Sequence, residues 1–401
     1  MKKILSLVLA LAMVLSLCSF AAAEGFSGEI KVWVADATVD FTKAQIEEFK
    51  KLNPEYANMT VAVEPMSEGE AATSMLTDVE AGADIFTFAQ DQLSRLVLAG
   101  AVEMLLDENA AIVKAENDAG AVAASTVGET MYAYPITSDN GYFLYYDKSV
   151  VTDPSTLEQV LADCEAAGKN FYMEINNGWY IPAFFFGAGC TLTYDTNDSG
   201  EFVTVNCNFA SENGLKALKA LIKSAQSPVF MNGSSSSNAT NIGAIVTGTW
   251  EAGNLQTILG DNYAAVKLPT VDGYQLGGFG GFKMLGVKPQ TDEKKLAACD
   301  ALALFLSSGE VQTARFEAVG WGPSNLEAQQ SEGVKADVAL SALASQLQFC
   351  IGQGQYPGEY WTLATALGDD ILADKYDEYT DEQLLEVMTT FQTTAGSYIT
   401  K

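Results

Sequence analysis

The sequence predicts an α/β protein of two lobes, each a mostly parallel sheet flanked by helices, and three observations carry that prediction. At 401 residues the chain exceeds what one core comfortably supports, which points to two domains of roughly 100 to 200 residues. Strand-like apolar runs alternate with helix-spaced runs from residue 30 onward, the pattern of a parallel sheet covered on both faces. Residues 134–149, YPITSDNGYFLYYDKS, read as a passage from one core to another. Pro135 cannot donate to a sheet ladder, and Thr137, Ser138, Asp139, Asn140 and Gly141 are polar or small. A dense aromatic strand then resumes at Tyr142. A chain that leaves one core for another leaves a cleft between them, a preferred place for small-molecule sites. Asp139 is expected in that cleft, although the same stretch also fits an ordinary surface loop.

The N-terminus lies outside both lobes. Lys2 and Lys3, an apolar run from Ile4 to Leu17, and Ala21, Ala22 and Ala23 form the three parts of an export signal. Cleavage after Ala23 is expected, with lipid anchoring through Cys18 as the alternative; Leu17 stands where a lipidation signal usually has a small residue. The formal charge of −29 becomes −31 when the two lysines of residues 1–23 are removed. A chain so acidic repels phosphate backbones and anionic lipid, which argues against nucleic-acid and membrane-surface binding.

Histidine is absent, which removes the commonest general base and every Ser-His or Cys-His nucleophile. Cys164, Cys190, Cys207, Cys299 and Cys350 have no metal-ligand spacing and read as buried thiols. Cys190 and Cys207 flank an expected hairpin and are candidates for a disulfide. No metal, cofactor or catalytic residue is called for.

In order, residues 30–35 form a first strand, 41–52 a helix ended by Asn53 and Pro54, 60–63 a second strand, 70–81 a helix, 84–88 a third strand and 92–99 a helix. Ligands lie beyond the carboxyl ends of such strands. Asp36 and Asp91 follow two of those ends, as ligand groups or as caps of the next helix, and Trp33 reads as core. Beyond the passage, 154–167 is a helix with Gly168 after it. Asn176, Asn177, Trp179 and Tyr180 then set amides beside aromatics, a combination that suits a polyol. Asp195, Asn197, Ser199 and Gly200 match half of a calcium loop, but Asn206 replaces the bidentate Glu and the flanks alternate, so a hairpin turn is expected. Helix 214–225, buried strand 242–249 and helix 254–259 follow, then strand 263–268. The run GYQLGGFGGF from 273 has no lysine in phosphate-loop position and reads as a second crossing. Helices at 291–307 and 311–318, a break at 320–323 and a helix carrying Trp361 complete the chain.

The residues then carry a likeness. Segments 84–100, 134–149, 243–270 and 280–323, with the Trp361 helix, occur in an order that resembles the extracellular solute-binding proteins of ABC importers, in the branch typified by the maltodextrin-binding protein. The resemblance implies a periplasmic-binding-protein-like fold, with residues 24–137 plus 279–324 in one lobe and 138–278 plus 325–401 in the other. It implies an exported, non-enzymatic, monomeric protein that binds a carbohydrate in its cleft and presents it to a membrane permease. The ligand residues it implies are Asp36, Phe88, Asp91, Asp139, Asn177, Trp179, Trp250 and Trp361. Phe88 stands where the maltodextrin binder has Trp, and Gln92 where it has Arg, departures that bear on maltose itself and leave a carbohydrate as the expected ligand. Aromatic planes suit sugar C–H faces, and carboxylates and amides suit the hydroxyl rim. Two alternatives remain: a binding protein for a non-sugar solute, with Tyr145 and Tyr146 as candidate iron ligands, and a secreted glycoside hydrolase with a carboxyl pair.

Overall fold

The computed structural model describes residues 25–399; the export signal and Cys18 lie outside the described residues. Strand Glu29–Val34 sends Ile30, Val32 and Val34 to one core and Trp33 to another, so both faces of its sheet are covered. The same alternation divides Ile85 from Phe86 and Phe88 in strand Ile85–Ala89. Helix Val39–Leu52 buries Ile46 and Phe49 against the first of these cores and stops where Asn53 donates its side-chain amide to the Phe49 carbonyl (2.9 Å). The helix expected over 70–81 is shorter, Ala71–Thr77, and Asp78 ends it in an extended conformation.

In the first sheet Glu29–Val34 runs parallel to both Thr60–Pro65 and Ile85–Ala89. The long strand Gly278–Val287 is antiparallel to Ile85–Ala89 on one side and to Tyr134–Gly141 on the other. In the second sheet Asn170–Tyr172 is parallel to Phe230–Met231 and Ile242–Thr247, whereas Phe143–Asp147 is antiparallel to Ile242–Thr247 and Tyr263–Val266. The sheets are therefore mixed rather than mostly parallel. The reason is topological. A helical crossover returns a strand to the far end of its sheet, whereas Phe143–Asp147 and Gly278–Val287 arrive from the other lobe and enter at the cleft end.

The passage at 134–149 changes sheets at Tyr142, later than the boundary after residue 137, because strand Tyr134–Gly141 stays paired to Gly278–Val287 as far as Gly141. The final segment also differs from expectation: Cys350–Gly352 returns to the first sheet and pairs with Gly278, Phe279 and Gly280.

The second lobe is held by a large aromatic core. Phe185 stacks on Phe209 (centroids 4.4 Å apart, planes at 7°), and Phe209 on Phe391 (5.4 Å, 11°), which ties helix Pro182–Gly187 to the last long helix, Asp381–Ala395. The expected hairpin forms from Leu192–Thr196 and Phe202–Cys207. Asn197 Oδ1 accepts from the backbone N–H groups of Ser199 and Glu201, both at 3.0 Å, and so shapes the turn. The register sets Cys207 opposite Leu192 rather than Cys190, and both thiols are free.

Candidate ligand-binding cleft

Strands of both lobes end at a common cleft of about 960 Å³. Ala35, Asp36 and Ala37 follow the first strand, Ser67, Glu68 and Gly69 the second, and Asp91 and Gln92 the third. From the other lobe, residues 176–180 follow Asn170–Tyr172, Ser234 and Ser235 follow Phe230–Met231, and Trp250, Glu251 and Asn254 follow Ile242–Thr247. Trp361 and Thr365 project from helix Gly358–Leu372. Loops beyond carboxyl ends of strands, facing each other across a crossing, are where α/β folds take their ligands.

Of the residues singled out from sequence, Asp36, Asp91, Asn177, Trp179, Trp250 and Trp361 line this cleft. Asp36 is exposed and makes no capping bond to the short helix it opens. Asp91 is nearly inaccessible, and its Oδ1 accepts from Gln353 Nε2 (2.7 Å), whose Oε1 in turn accepts from Asn140 Nδ2 (3.1 Å). Burial pushes the Asp91 carboxyl up to about 7, against the pull of the Arg95 charge. Asn177 uses its side-chain oxygen locally, accepting from Trp179 N–H at 2.9 Å, and so shapes the turn that carries Trp179. Trp179 lies against Tyr142 (4.8 Å, planes at 72°) and Trp250 (5.7 Å). Trp250 packs across Gly248: a Cβ built there would lie 2.0 Å from the indole, so only glycine lets this ring settle against the backbone.

Phe88 and Asp139 do not belong to the cleft lining. Phe88 is wholly buried on the far face of its strand, 5.6 Å from Phe86, because the alternation that turns Ile85 one way turns Phe88 the other. Asp139 is also buried. Its Oδ2 accepts from Thr249 Oγ1 (2.5 Å) and from Gly322 N–H (2.6 Å), which ties the first crossing, the passage at 134–149, to the turn before Trp250 and to the third crossing, the break at 320–323. Gln92, where the resemblance has Arg, holds the loop after the second strand: its amide donates to the carbonyls of Glu68 (2.7 Å) and Gly69 (2.9 Å).

Several lining residues escaped the sequence reading. Glu174 accepts from Ser234 Oγ and Glu251 from Ser236 Oγ, so the serine-rich loop at 234–237 orients both carboxylates. Trp321 enters from the break at 320–323, and Lys283 from the centre of strand Gly278–Val287. The Lys283 ammonium lies 3.5 Å from the centroid of the Trp321 ring and 4.9 Å from that of Trp250. Indole N–H groups of Trp179 and Trp321 are buried without a partner. The one available signal was the tryptophan inside Gly320, Trp321 and Gly322, an aromatic set where the backbone turns freely.

The family description Bacterial extracellular solute-binding protein matches residues 44–342. The chain belongs to that family. Among solved structures, one described as "with acarbose" is 27% identical to this solute-binding protein, with a TM-score of 0.80 over 92% of this chain and 98% of that one. The maltodextrin binding protein MalE1 from L. casei BL23, without ligand, is 24% identical, with a TM-score of 0.75 over 92% and 99% of the two chains. The Thermus thermophilus maltotriose binding protein bound with maltotriose is 18% identical, with a TM-score of 0.75 over 91% and 99%. A search of curated proteins finds no match. Family and fold are those of non-catalytic solute-binding proteins, which disposes of the hydrolase alternative. Among the described residues no helix is long and apolar enough to cross a membrane.

Proposed function

We propose that this solute-binding protein takes a neutral oligosaccharide into the cleft, closes its two lobes on it and delivers it to the membrane permease of an ABC importer, acting as a monomer. One observation carries the reading: the tryptophans Trp179, Trp250, Trp321 and Trp361 line one cleft together with carboxylates such as Asp36 and Glu174 and the amides of Asn177 and Asn254. Aromatic planes set in one cleft with fixed acceptors and donors suit sugar rings, which offer flat C–H faces and hydroxyl rims. The cleft's volume, about 960 Å³, stands at the upper end of the range for small-molecule sites and favours several rings over one. The fold's likeness to proteins described with acarbose, maltotriose and maltodextrin points to the same class.

The test is a thermal-shift screen of the mature protein against mono- and oligosaccharides, followed by calorimetry of any sugar that raises the midpoint. A ligand that binds only the native state stabilises it by RT ln(1 + [L]/Kd), about 2.7 kcal/mol at one hundred times Kd. Midpoint shifts confined to non-sugar solutes would refute the carbohydrate assignment.

A further inference from the structure

We propose that Lys283 is the specificity-determining donor of the cleft, placed to hold acceptor oxygens of a neutral sugar between Trp250 and Trp321; the inference rests on the carbohydrate reading above. Lys283 sits on strand Gly278–Val287 opposite Ala89 and Thr137, and only 4% of it is exposed. Lys288, five residues further along and similarly buried, shows what a structural lysine in this lobe looks like. Its ammonium donates to the carbonyls of Glu80 (3.1 Å) and Gly82 (3.0 Å) and lies 3.6 Å from Asp84. Among the described residues Lys283 forms no ion pair and no hydrogen bond; its charge meets only the faces of Trp321 and Trp250.

An aromatic face attracts a cation but accepts none of its hydrogen bonds in the manner of an oxygen. The ammonium faces the cleft with its donors unused by protein oxygens among the described residues. Of the cleft carboxylates, one oxygen of Asp91 is engaged by Gln353, one of Glu174 by Ser234 and one of Glu251 by Ser236, and none is bonded to Lys283. That leaves the Lys283 donors open to the acceptors of a ligand. Sugar hydroxyl, ring and glycosidic oxygens supply them. A carboxylate would supply them too, but among the described residues Lys283 is the one cation lining a cleft whose lining includes Asp36, Glu68, Asp91, Glu174 and Glu251, and an anionic sugar would meet net repulsion. On this account the ammonium rests on the indoles in the empty cleft, and turns to the ligand when a sugar ring takes its place on Trp250.

The experiment compares the wild-type protein with Lys283→Met, which keeps length and apolar contact but removes charge and donors, and with Lys283→Gln, which restores a neutral donor. Calorimetry is run with maltotriose, its monodeoxy derivatives and a trigalacturonate. The expected result is at least a tenfold loss of maltotriose affinity in Lys283→Met, partly recovered in Lys283→Gln, with an unchanged unfolding midpoint. One monodeoxy derivative should bind more weakly than the parent to the wild type yet equally to Lys283→Met. That lost discrimination is a signature a merely structural lysine would not produce. Wild-type affinity in Lys283→Met, an equal loss for every derivative, or misfolding of both variants overturns the proposal while leaving the carbohydrate reading intact. Tighter wild-type binding of the trigalacturonate than of maltotriose overturns the neutral-ligand assignment. A wild-type protein that binds none of these sugars and whose midpoint is raised by no sugar of the thermal-shift screen overturns both readings.

Discussion

Trp250 and Trp361 present half-exposed rings to the cleft, the first on Gly248 and the second beside Gly178, where a Cβ would lie 3.0 Å from the indole. Trp250→Ala or Trp361→Ala should weaken sugar binding by about 1 to 3 kcal/mol, the burial of one ring face, with little loss of fold. Calorimetry checks this, and unchanged affinity in both variants would remove them from the site. Asp91 supports a prediction in pH. Its carboxyl, pushed up to about 7 by burial, has an unfolded value of about 3.9, and Asp300 is pushed up to about 6, also by burial. Both groups hold protons in the folded state that the unfolded chain releases. The stability they contribute is therefore fully present below about pH 4 and is lost as pH rises to about 7; for Asp91 the loss is about 1.4 kcal/mol for each pH unit crossed in that window. Urea midpoints at pH 4.5, 6 and 7.5 should decline in the wild type and decline less in Asp91→Asn. Equal slopes would show that Asp91 ionises normally. At this scale the sequence was partly legible. Asp36 and Asp91 follow strand ends, and position along the strand was enough to bring them to the cleft, whereas Trp250 was named only through the resemblance. Phe88 and Asp139 were misplaced because pattern does not say which face a strand residue takes or whether a polar crossing is solvated. Lys283 was invisible, since its surroundings are made by residues 250 and 321, far away in the chain.

Among the elements, the segments between the sheets decide most. Gly320, in the left-handed region at φ 75°, ends helix Gly309–Val319 and turns the chain into Trp321. Ser138 N–H then donates to the Gly322 carbonyl (3.0 Å), and Gly322 N–H to Asp139 (2.6 Å), so the third crossing is laced along the first. Asp139 thereby fixes the residues adjoining both Trp250 and Trp321, as a positioning group rather than a ligand contact. Asp139→Ala would leave Gly322 N–H without its buried acceptor and the buried Arg315 without a nearby negative charge. A loss of roughly 2 to 4 kcal/mol is expected, with weaker sugar binding as the tryptophans lose their anchor. Denaturant midpoints at constant m, followed by calorimetry where the variant is folded, test the two effects separately. Full stability in Asp139→Ala would show that the lacing carries no energy. Strand and helix order was legible from periodicity because both faces of each sheet are buried and the runs are long. Strand direction was not. Whether a strand enters from the cleft or from the far end depends on which lobe it left, and local periodicity carries no record of that.

For the whole molecule, the question is what holds the lobes at their present separation and what a ligand adds. Tyr142, the residue at which the first crossing changes sheets, is fully buried against Trp179, so rotation there moves a cleft wall directly. The hairpin of the second lobe reaches the first at Gly200, whose φ of 86° and missing side chain admit the Ser94 carbonyl: a Cβ would stand 2.8 Å from that oxygen. Gln355 spans the same region, accepting from Ser94 N–H (2.9 Å) and donating to the Gln90 carbonyl (2.7 Å). The contacts at this hairpin are polar, the kind that opens and re-forms at modest cost, whereas each lobe's aromatic or aliphatic core does not. A sugar that touches both walls binds the closed form more tightly than the open one, and it shifts the equilibrium by that difference alone. Closure by hinge bending near 137–141, 274–279 and 322–325 should therefore lower the radius of gyration when sugar is added. Small-angle scattering of the wild-type protein with and without saturating sugar measures this directly, and Gly200→Val, which should hold the hairpin away from Ser94, should show a larger radius when empty and weaker sugar affinity. A radius unchanged by sugar, at a concentration where calorimetry shows the cleft to be full, would mean that the lobes form one rigid body and that the permease reads the ligand by some means other than closure.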